Sequence, residues 1–241
     1  MPVNDNPHSS WAEVYDLAYE RAFGVIYNRL TVATVDVITS RVSSGGRIVD
    51  FGAGTGRLSI PLAEKGFEVT AVDPCREMLF QLEQKKTEGM KVRTVCSKMQ
   101  DFREGNFDFA LCVFTVLSYL LDEDSLKKAL LATHRALKSN GSLLIDIPAR
   151  TIFQSYSWKD DSIERSVSVI KENADIYRYQ EKTEVKRPNG GKSIFSDEFK
   201  IRHWPSAYVL SALLTTGFVL EEDLSDSFSY AGSQYWILKK A

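Results

Sequence analysis

The chain has 241 residues, of which 44% are hydrophobic and 26% charged, and its formal net charge is −2. This composition excludes a globally disordered chain, and the near-neutral charge argues against a nucleic-acid partner, which would require a strongly basic face. No run of about 18 apolar residues and no signal peptide is visible, so we expect a cytoplasmic protein without a membrane span.

The cysteines and histidines are scattered along the chain. An odd number of unpaired cysteines fits a reducing compartment better than a disulfide framework. No cluster of cysteine and histidine has the spacing of metal ligands, so we expect no bound metal. The six residues are Cys75, Cys96, Cys112, His8, His134 and His203.

The first two thirds of the chain alternate helical and strand-like patterns. A helix is predicted over residues 11–41, and a later one at about 123–138 is expected to stop at Asn140-Gly141, where glycine tolerates a left-handed cap. Strands separated by helical crossovers indicate a parallel, doubly wound sheet. The strands predicted here are 47–51, 67–72, 91–96, 107–114 and 142–147, and the helices between them are 57–65 and 75–88.

The pattern changes after Pro148. Strands are predicted at 163–170, 176–187 and 192–202, and Pro188-Asn189-Gly190-Gly191 is a hairpin signal between the last two. These sequential strands predict an antiparallel layer. A helix from Pro205 to Thr216, ended by Gly217, and two strands at 218–223 and 234–239 complete the chain.

Together these elements predict a single α/β domain. It has a Rossmann-like, doubly wound, mostly parallel seven-stranded sheet, with an inserted antiparallel β layer after the fifth strand. The expected parts are an N-terminal helical cap at 1–44, a Rossmann-like core at 45–150 and 204–241, and an inserted substrate layer at 151–203.

A glycine-rich loop follows the first predicted strand. Residues 48–57 read IVDFGAGTGR, with glycines at alternate positions, and a helix follows. Glycine is needed where the backbone turns with positive φ or approaches a ligand closely, and such loops bind ligands in open α/β sheets. Asp73 ends the second strand 21 residues after Gly52. A carboxylate there can accept both hydroxyls of an adenosine ribose.

The spacing of the loop separates it from dinucleotide sites. The dinucleotide pattern is GxGxxG, whereas this chain has GxGxG, with its third glycine one position earlier. Asp50, just before the loop, suits a cationic ligand better than an anionic pyrophosphate. An NAD-dependent oxidoreductase is therefore a minor alternative.

The segment resembles the class I S-adenosylmethionine-dependent methyltransferase family. That family has an acidic residue before GxGxG, matched by Asp50–Gly56, and an acidic residue ending the second strand, matched by Asp73. Phe107–Leu121 looks like its fourth-strand region, and Ala136–Ile145 looks like its leader into the fifth strand. The resemblance covers about residues 45–148. It implies S-adenosylmethionine as cofactor and S-adenosylhomocysteine as product.

The resemblance also implies roles for individual residues. The loop glycines would admit the methionine part of the cofactor, Asp50 would face its sulfonium and amino group, and Asp73 would hold its ribose. The family usually has an acidic residue near the adenine amino group, where this chain has Lys98, so the Met99 main chain or Gln100 is expected to substitute. The implied cofactor-binding residues are Asp50, Gly52, Ala53, Gly54, Gly56, Asp73, Pro74, Met78, Met99, Gln100 and Phe114.

A weaker resemblance concerns the acceptor. Residues 11–19 look like the YDxxY opening of small-molecule N-methyltransferases that act on glycine or amino sugars, which implies that the N-terminal helix and the inserted strands wall a small-molecule pocket. Tyr15, Tyr19 and Tyr119 are the candidate catalytic residues, because their ring faces can orient an acceptor or stabilise its cation. Ordinary helix packing is the alternative for each.

The acceptor atom follows from what methyl transfer requires. A neutral amine needs little beyond positioning, whereas a hydroxyl needs a general base. Some relatives have a histidine near the position of Tyr119, and no histidine of this chain stands in an obvious place, which favours nitrogen. The alternatives are O- or C-methyl transfer to a small molecule, a protein or RNA methyltransferase, and a protein that binds the cofactor without catalysis. No oligomeric state is predicted.

Overall fold

A computed structural model describes residues 6–187 and 190–241. Among these residues the helices are α1 (Tyr15–Thr39), α2 (Ser59–Glu64), α3 (Arg76–Lys85), α4 (Glu123–Ala136) and α5 (Ser206–Thr216). The strands are β1 (Arg47–Phe51), β2 (Glu68–Asp73), β3 (Val92–Cys96), β4 (Phe107–Cys112), β5 (Leu137–Pro148), β6 (Tyr156–Lys159), β7 (Ile163–Lys171), β8 (Ile176–Lys186), β9 (Lys192–Arg202), β10 (Phe218–Asp223) and β11 (Ser233–Lys240).

The central sheet has seven strands in the order β10-β11-β5-β4-β1-β2-β3. The neighbours from β5 to β3 run parallel, and β11 is antiparallel to both β5 and β10. β1 is central, and Ile48, Val49 and Phe51 are fully buried, as expected of a parallel strand covered on both faces. Successive crossovers change direction between β1 and β4, so the carboxyl ends of these strands form a crevice there. The predicted fold class is confirmed.

The inserted layer is a separate antiparallel sheet in the order β6-β7-β8-β9. A short 3-10 helix (Ser9–Val14) precedes α1 and packs between this sheet and α3. One buried cluster joins Trp11 and Tyr15 to Met78 of α3 and to Ile163 and Val185 of the inserted sheet. This packing brings the start of α1 to the carboxyl edge of the central sheet.

The predicted end of one helix was wrong. α4 ends at Ala136 rather than at about residue 138 with Asn140-Gly141 as its stop, because Leu137 is buried and already pairs with Phe107 in the central sheet. Asn140, with φ of 61°, takes the left-handed conformation there, and Gly141 does not. The short strand β6 was not predicted from the sequence.

The hairpin of the inserted sheet agrees with the sequence pattern. β8 and β9 pair from Ile176 with Arg202 to Lys186 with Lys192. Pro188 and Asn189 of the predicted turn lie outside the described residues. No helix within residues 6–187 and 190–241 has the length and apolar character needed to cross a membrane.

Candidate active site

A cavity of about 400 Å³ lies at the carboxyl ends of β1, β2 and β4. It brings together residues that are far apart in sequence: the glycine loop, the end of β2, the turn after β3 and the start of α1. Of the predicted site residues, those that line it are Asp50, Gly52, Ala53, Gly54, Asp73, Pro74, Met78, Met99, Gln100, Phe114, Tyr15, Tyr19 and Tyr119. Gly56 does not line it.

The glycine loop shows why two glycines border the cavity and the third does not. Gly52 has φ of 71°, and a side chain there would overlap Val116. Gly54 has φ of 54°, and an added Cβ would meet only Met78, at 3.4 Å, so the space beside it opens into the cavity. A Cβ at Gly56 would lie 2.7 Å from Leu82, so this glycine lets α3 pack against the loop.

Asp73 fixes the loop and points into the same cavity. Its Oδ2 accepts a hydrogen bond from the Gly54 main-chain N–H at 2.9 Å, and its Oδ1 accepts one from Cys75 N–H at 2.8 Å. Burial raises the pKa of Asp73, although these two hydrogen bonds oppose that shift. Each carboxylate oxygen can accept a second hydrogen bond, which suits a ligand with two adjacent hydroxyls.

Asp50 is a buried carboxylate at the end of β1. Its side chain lines the cavity, and its Oδ2 accepts a hydrogen bond from Ser59 Oγ at 2.7 Å. Burial raises the pKa of Asp50 to about 6, against the opposing effects of Ser59 and Arg57. A cation bound nearby would favour its charged form.

A second buried carboxylate, Asp146 in β5, shapes the loop after β4. It accepts a hydrogen bond from Thr115 N–H at 3.1 Å, and burial raises its pKa to about 6. Phe114 and Thr115 both have positive φ, 72° and 67°. This turn places the Phe114 ring at the cavity wall, 5.7 Å from the Tyr19 ring centroid.

The rings of the three predicted tyrosines line the same cavity and are called the aromatic wall below. The Tyr15 and Tyr19 ring centroids are 4.5 Å apart. Tyr119 is 37% exposed and lines the cavity. Desolvation raises the pKa values of Tyr15 and Tyr119 well above their ordinary range, so both hydroxyls stay protonated at neutral pH.

His8 also lines this cavity, which the sequence did not indicate. Its ring Nε2 lies 2.7 Å from the Tyr119 hydroxyl. Its main-chain N–H donates a hydrogen bond to Asp197 Oδ2 at 2.6 Å, which anchors the residue to β9. The sequence placed no histidine in an obvious position for a general base, whereas the structure brings His8 to the cavity wall.

Comparison with known proteins identifies the segment around the glycine loop. Residues 48–141 match the methyltransferase domain family. A glycine/sarcosine N-methyltransferase of Aphanothece halophytica is 33% identical over 104 residues, which cover 42% of this chain and 39% of that protein. The chain spans about half the length of the curated relatives that it matches.

Solved structures extend the similarity in fold to nearly the whole chain. An S-adenosylmethionine-dependent methyltransferase from Clostridium acetobutylicum superposes with a TM-score of 0.82 at 20% identity, covering 94% of this chain and 98% of that one. The amino pentose methyltransferase CalS10 from Micromonospora echinaspora, solved with S-adenosylmethionine bound, has a TM-score of 0.74 at 19% identity, covering 95% and 97%. The Rossmann-like methyltransferase fold predicted from the glycine loop is therefore confirmed.

The segment that matches the methyltransferase family contains a further cavity residue that sequence reasoning missed. Arg57 directly follows the glycine loop, and its guanidinium carbon lies 4.7 Å from the Phe114 ring centroid and 5.2 Å from that of Tyr27. Its Nη1 donates a hydrogen bond to Thr31 Oγ1 at 3.1 Å. The position of this positive charge directly after GxGxG could have indicated from the sequence that Arg57 lies at the cavity. No such signal pointed to His8, because the residues that it contacts are 111 and 189 positions away in the chain.

Proposed function

We propose that this protein transfers a methyl group from S-adenosylmethionine to an amine nitrogen of a small molecule. The observation that carries the proposal is the single cavity in which the glycine loop and Asp73 meet the aromatic wall of Tyr15, Tyr19 and Tyr119. A volume of about 400 Å³ is at the small end of ligand sites, which favours a small acceptor.

The residues on the cofactor side fit S-adenosylmethionine. The two remaining acceptor positions of Asp73 suit the ribose hydroxyls, and the open space beside Gly54 admits the methionine part. Asp50 favours the positive charges of the ligand, and the Arg57 guanidinium suits its carboxylate. When bound, S-adenosylmethionine supplies a methyl group that its sulfonium has already activated.

The residues on the acceptor side would hold the nucleophile and exclude water. In-line displacement depends mainly on orientation, so rigid rings packed on one another are well suited to the task. Tyr19 touches Tyr15, Tyr27 and Phe114, which fixes its ring at the wall. These ring faces would also stabilise the cationic product of amine methylation.

Support for nitrogen comes from the relatives. The glycine/sarcosine enzyme and the amino pentose enzyme are both named for acceptors that carry an amine. The lack of a histidine no longer favours nitrogen, because His8 and Tyr119 meet in the cavity. Methyl transfer to a hydroxyl is therefore the second candidate, favoured by that one contact.

The first experiment tests the cofactor by calorimetric titration of the full chain with S-adenosylhomocysteine, with NAD as the control. We expect saturable binding of S-adenosylhomocysteine and none of NAD. Saturable binding of NAD alone would contradict the proposal at its first step.

The second experiment tests the acceptor with methyl-labelled S-adenosylmethionine. The panel is glycine, sarcosine and an amino sugar, with the sugar that carries a hydroxyl in place of the amine as the matched control. We expect label in an amine and none in the matched hydroxyl compound. Label in the hydroxyl compound alone would replace this proposal with O-methyl transfer, and the absence of label from both would refute small-amine methylation for this panel.

A further inference from the structure

A buried chain of polar groups leads away from the acceptor side of the cavity. It begins at the Tyr119 hydroxyl, which lies 2.7 Å from His8 Nε2. On the far side of the same imidazole, Nδ1 lies 3.7 Å from Glu181 Oε2 in β8. Both His8 and Glu181 are buried, at 8% and 6% exposure, whereas Tyr119 retains access to the cavity.

Glu181 remains charged although it is buried. Its Oε1 accepts a hydrogen bond from Arg165 Nη2 at 2.9 Å. Burial alone would raise the pKa of Glu181, but the His8 imidazole and the Arg165 guanidinium hold it below its usual range. Arg165 is itself enclosed by aromatic rings, with its guanidinium carbon 4.7 Å from the ring centroids of Trp11 and Tyr19.

The two facing atoms of His8 and Glu181 are otherwise unsatisfied. Among the residues that the structure describes, neither His8 Nδ1 nor Glu181 Oε2 has a partner within hydrogen-bond distance. A buried polar atom without a partner is costly, and a movement of less than about 1 Å would join these two. A carboxylate facing Nδ1 favours the tautomer with the proton on Nδ1, which leaves the Nε2 lone pair directed at Tyr119.

We propose that Tyr119, His8 and Glu181 form a proton relay that accepts a proton from the methyl acceptor. The relay rests on the proposed function and deepens it, because it states how a charged amine would become a nucleophile. Tyr119 is the catalytic residue that touches the acceptor. His8 and Glu181 act through it, as the proton acceptor and as the group that orients the imidazole.

The step balances in protons and charge. The acceptor N–H bond breaks as its proton passes to Tyr119 Oη, and the Tyr119 proton passes to His8 Nε2. The amine becomes neutral and keeps the electron pair that attacks the methyl carbon. His8 becomes an imidazolium, whose charge Glu181 offsets. After the product leaves, the proton returns through Tyr119 to water. A phenol that stays protonated can serve in this way, because it gains one proton as it gives up another.

Other ionisable groups face His8 from each element around it. They are Asp197 of β9, which accepts the His8 main-chain N–H, Tyr15 of α1, whose ring centroid is 5.4 Å away, and Asp73 of β2, whose pKa His8 lowers. Arg165 of β7 acts on His8 through Glu181. The pH dependence of the relay therefore belongs to this group as a whole.

The first test requires no acceptor. We would record nitrogen NMR spectra of histidine-labelled full chain with S-adenosylhomocysteine at a pH of about 8, assigning His8 with the His8→Gln variant. We expect the proton on Nδ1 and an unprotonated Nε2 whose resonance moves in Tyr119→Phe, because a hydrogen bond is lost. A proton on Nε2 would overturn the relay, since His8 would then donate to Tyr119 and could not receive its proton.

The second test is the pH profile of methyl transfer to the amine found in the acceptor panel. At neutral pH we expect Tyr119→Phe to lower kcat by about 100-fold or more, as removal of a general base does. The defect should shrink at a pH near 10, where a far larger fraction of the amine is already unprotonated in solution. Glu181→Gln should show a smaller loss with the same pH dependence. A defect of equal size at every pH would indicate a structural role and overturn the relay.

The matched control is Tyr179→Phe. Tyr179 packs its ring on Phe199, as Tyr119 does, at centroid distances of 5.6 and 5.8 Å, but it does not line the cavity. We expect its kcat to equal that of the wild type and all variants to bind S-adenosylhomocysteine within about threefold of it. If the wild type methylates no amine, the proposed function fails while the NMR result still decides the relay. If the wild type is active and Tyr119→Phe matches it, the relay alone fails.

Discussion

The proposed cofactor and acceptor sides of the cavity are built in different ways. The cofactor side consists of residues that are close in sequence, namely the ends of β1 and β2 and the glycine loop. Asp73 accepts hydrogen bonds from main-chain N–H groups 2 and 19 residues away. The acceptor side comes from distant parts of the chain, where a residue before α1 contacts the loop after β4 and two strands of the inserted sheet.

In the proposed function, this difference separates the residues that bind the cofactor from the residues that select the acceptor. The cofactor side depends on backbone conformation and on buried carboxylates of the core, so few substitutions are tolerated. The acceptor side depends on side chains from the N-terminal segment and the inserted sheet, which can change without altering the core. Variants of each side should therefore fail in different measurements.

The largest effect on the cofactor side is expected from Gly54→Val. Its side chain would enter the cavity, so the affinity for S-adenosylhomocysteine should fall at least about 100-fold in titration calorimetry, or roughly 2.7 kcal/mol. The matched control is Gly45→Val, because Gly45 also has positive φ, 80°, but no atom within 4 Å of an added Cβ. Gly45→Val has the backbone strain of a side chain at positive φ but meets no neighbouring atom, so it should bind S-adenosylhomocysteine with the affinity of the wild type. Equal affinities in the two variants would mean that Gly54 does not border the cofactor.

A smaller loss is expected from Asp73→Ala. The variant removes a charged acceptor of ribose hydroxyls, a contact worth about 1.5–3 kcal/mol, or roughly 10- to 150-fold in the dissociation constant. Asp226→Ala, an exposed carboxylate, is the control in the same titration. An unchanged dissociation constant for Asp73→Ala would remove this residue from the site.

Asp50→Asn should change stability and binding in opposite directions. The folded-state pKa of about 6 lies above the ordinary value of 3.8, so the folded protein binds more protons between these values and its stability falls as the pH rises through them. Removing the charge should stabilise the free protein above pH 6 by up to about 3 kcal/mol, and by almost nothing near pH 4. Urea unfolding at the two pH values measures this.

The same variant should bind S-adenosylmethionine more weakly, because the amide cannot favour the positive charges of the ligand. In the wild type, binding near pH 6 should release a proton, which calorimetry in buffers of different ionisation enthalpy detects. Asp161→Asn, in an exposed loop, is the control for both measurements. A variant that is destabilised equally at both pH values would show that the buried charge is not the cause.

The smallest effect is expected from Lys98→Ala. Lys98 is exposed at the cavity rim, whereas Met99 is buried beside it and Gln100 is partly buried. We expect Lys98→Ala to alter the dissociation constant of S-adenosylhomocysteine by less than about twofold, as is usual for a solvated lysine, and Gln100→Ala to alter it several-fold. A tenfold loss in Lys98→Ala would place the lysine against the adenine.

The central sheet and the loop were predictable because their signals are local. Buried parallel strands read as short apolar runs, and a backbone that turns at positive φ selects glycine at Gly52 and Gly54. β6 lacked such a signal because it is a four-residue edge strand, and its pairing of Tyr156 with Val167 depends on the folded sheet. The end of α4 was misplaced because pairing of Leu137 in the sheet overrides the turn preference of Asn140-Gly141.

His8 shows the limit of sequence reasoning on the acceptor side. Its φ of 71° is uncommon outside glycine, and the contacts that hold it reach Tyr119 and Asp197. No periodicity or spacing encodes contacts over such separations. Arg57, in contrast, stood next to the glycine loop and could have been included from charge and position alone.

The turn at Phe114 and Thr115 has a consequence for laboratory evolution of this protein. Two successive residues in a left-handed conformation, one of them β-branched, cost on the order of 1–3 kcal/mol each. Asp146 maintains that conformation from within the core. Selection for heat tolerance should therefore favour glycine or asparagine at position 115, and the more robust variants should turn over more slowly, because the ring that borders the cavity is then held less firmly.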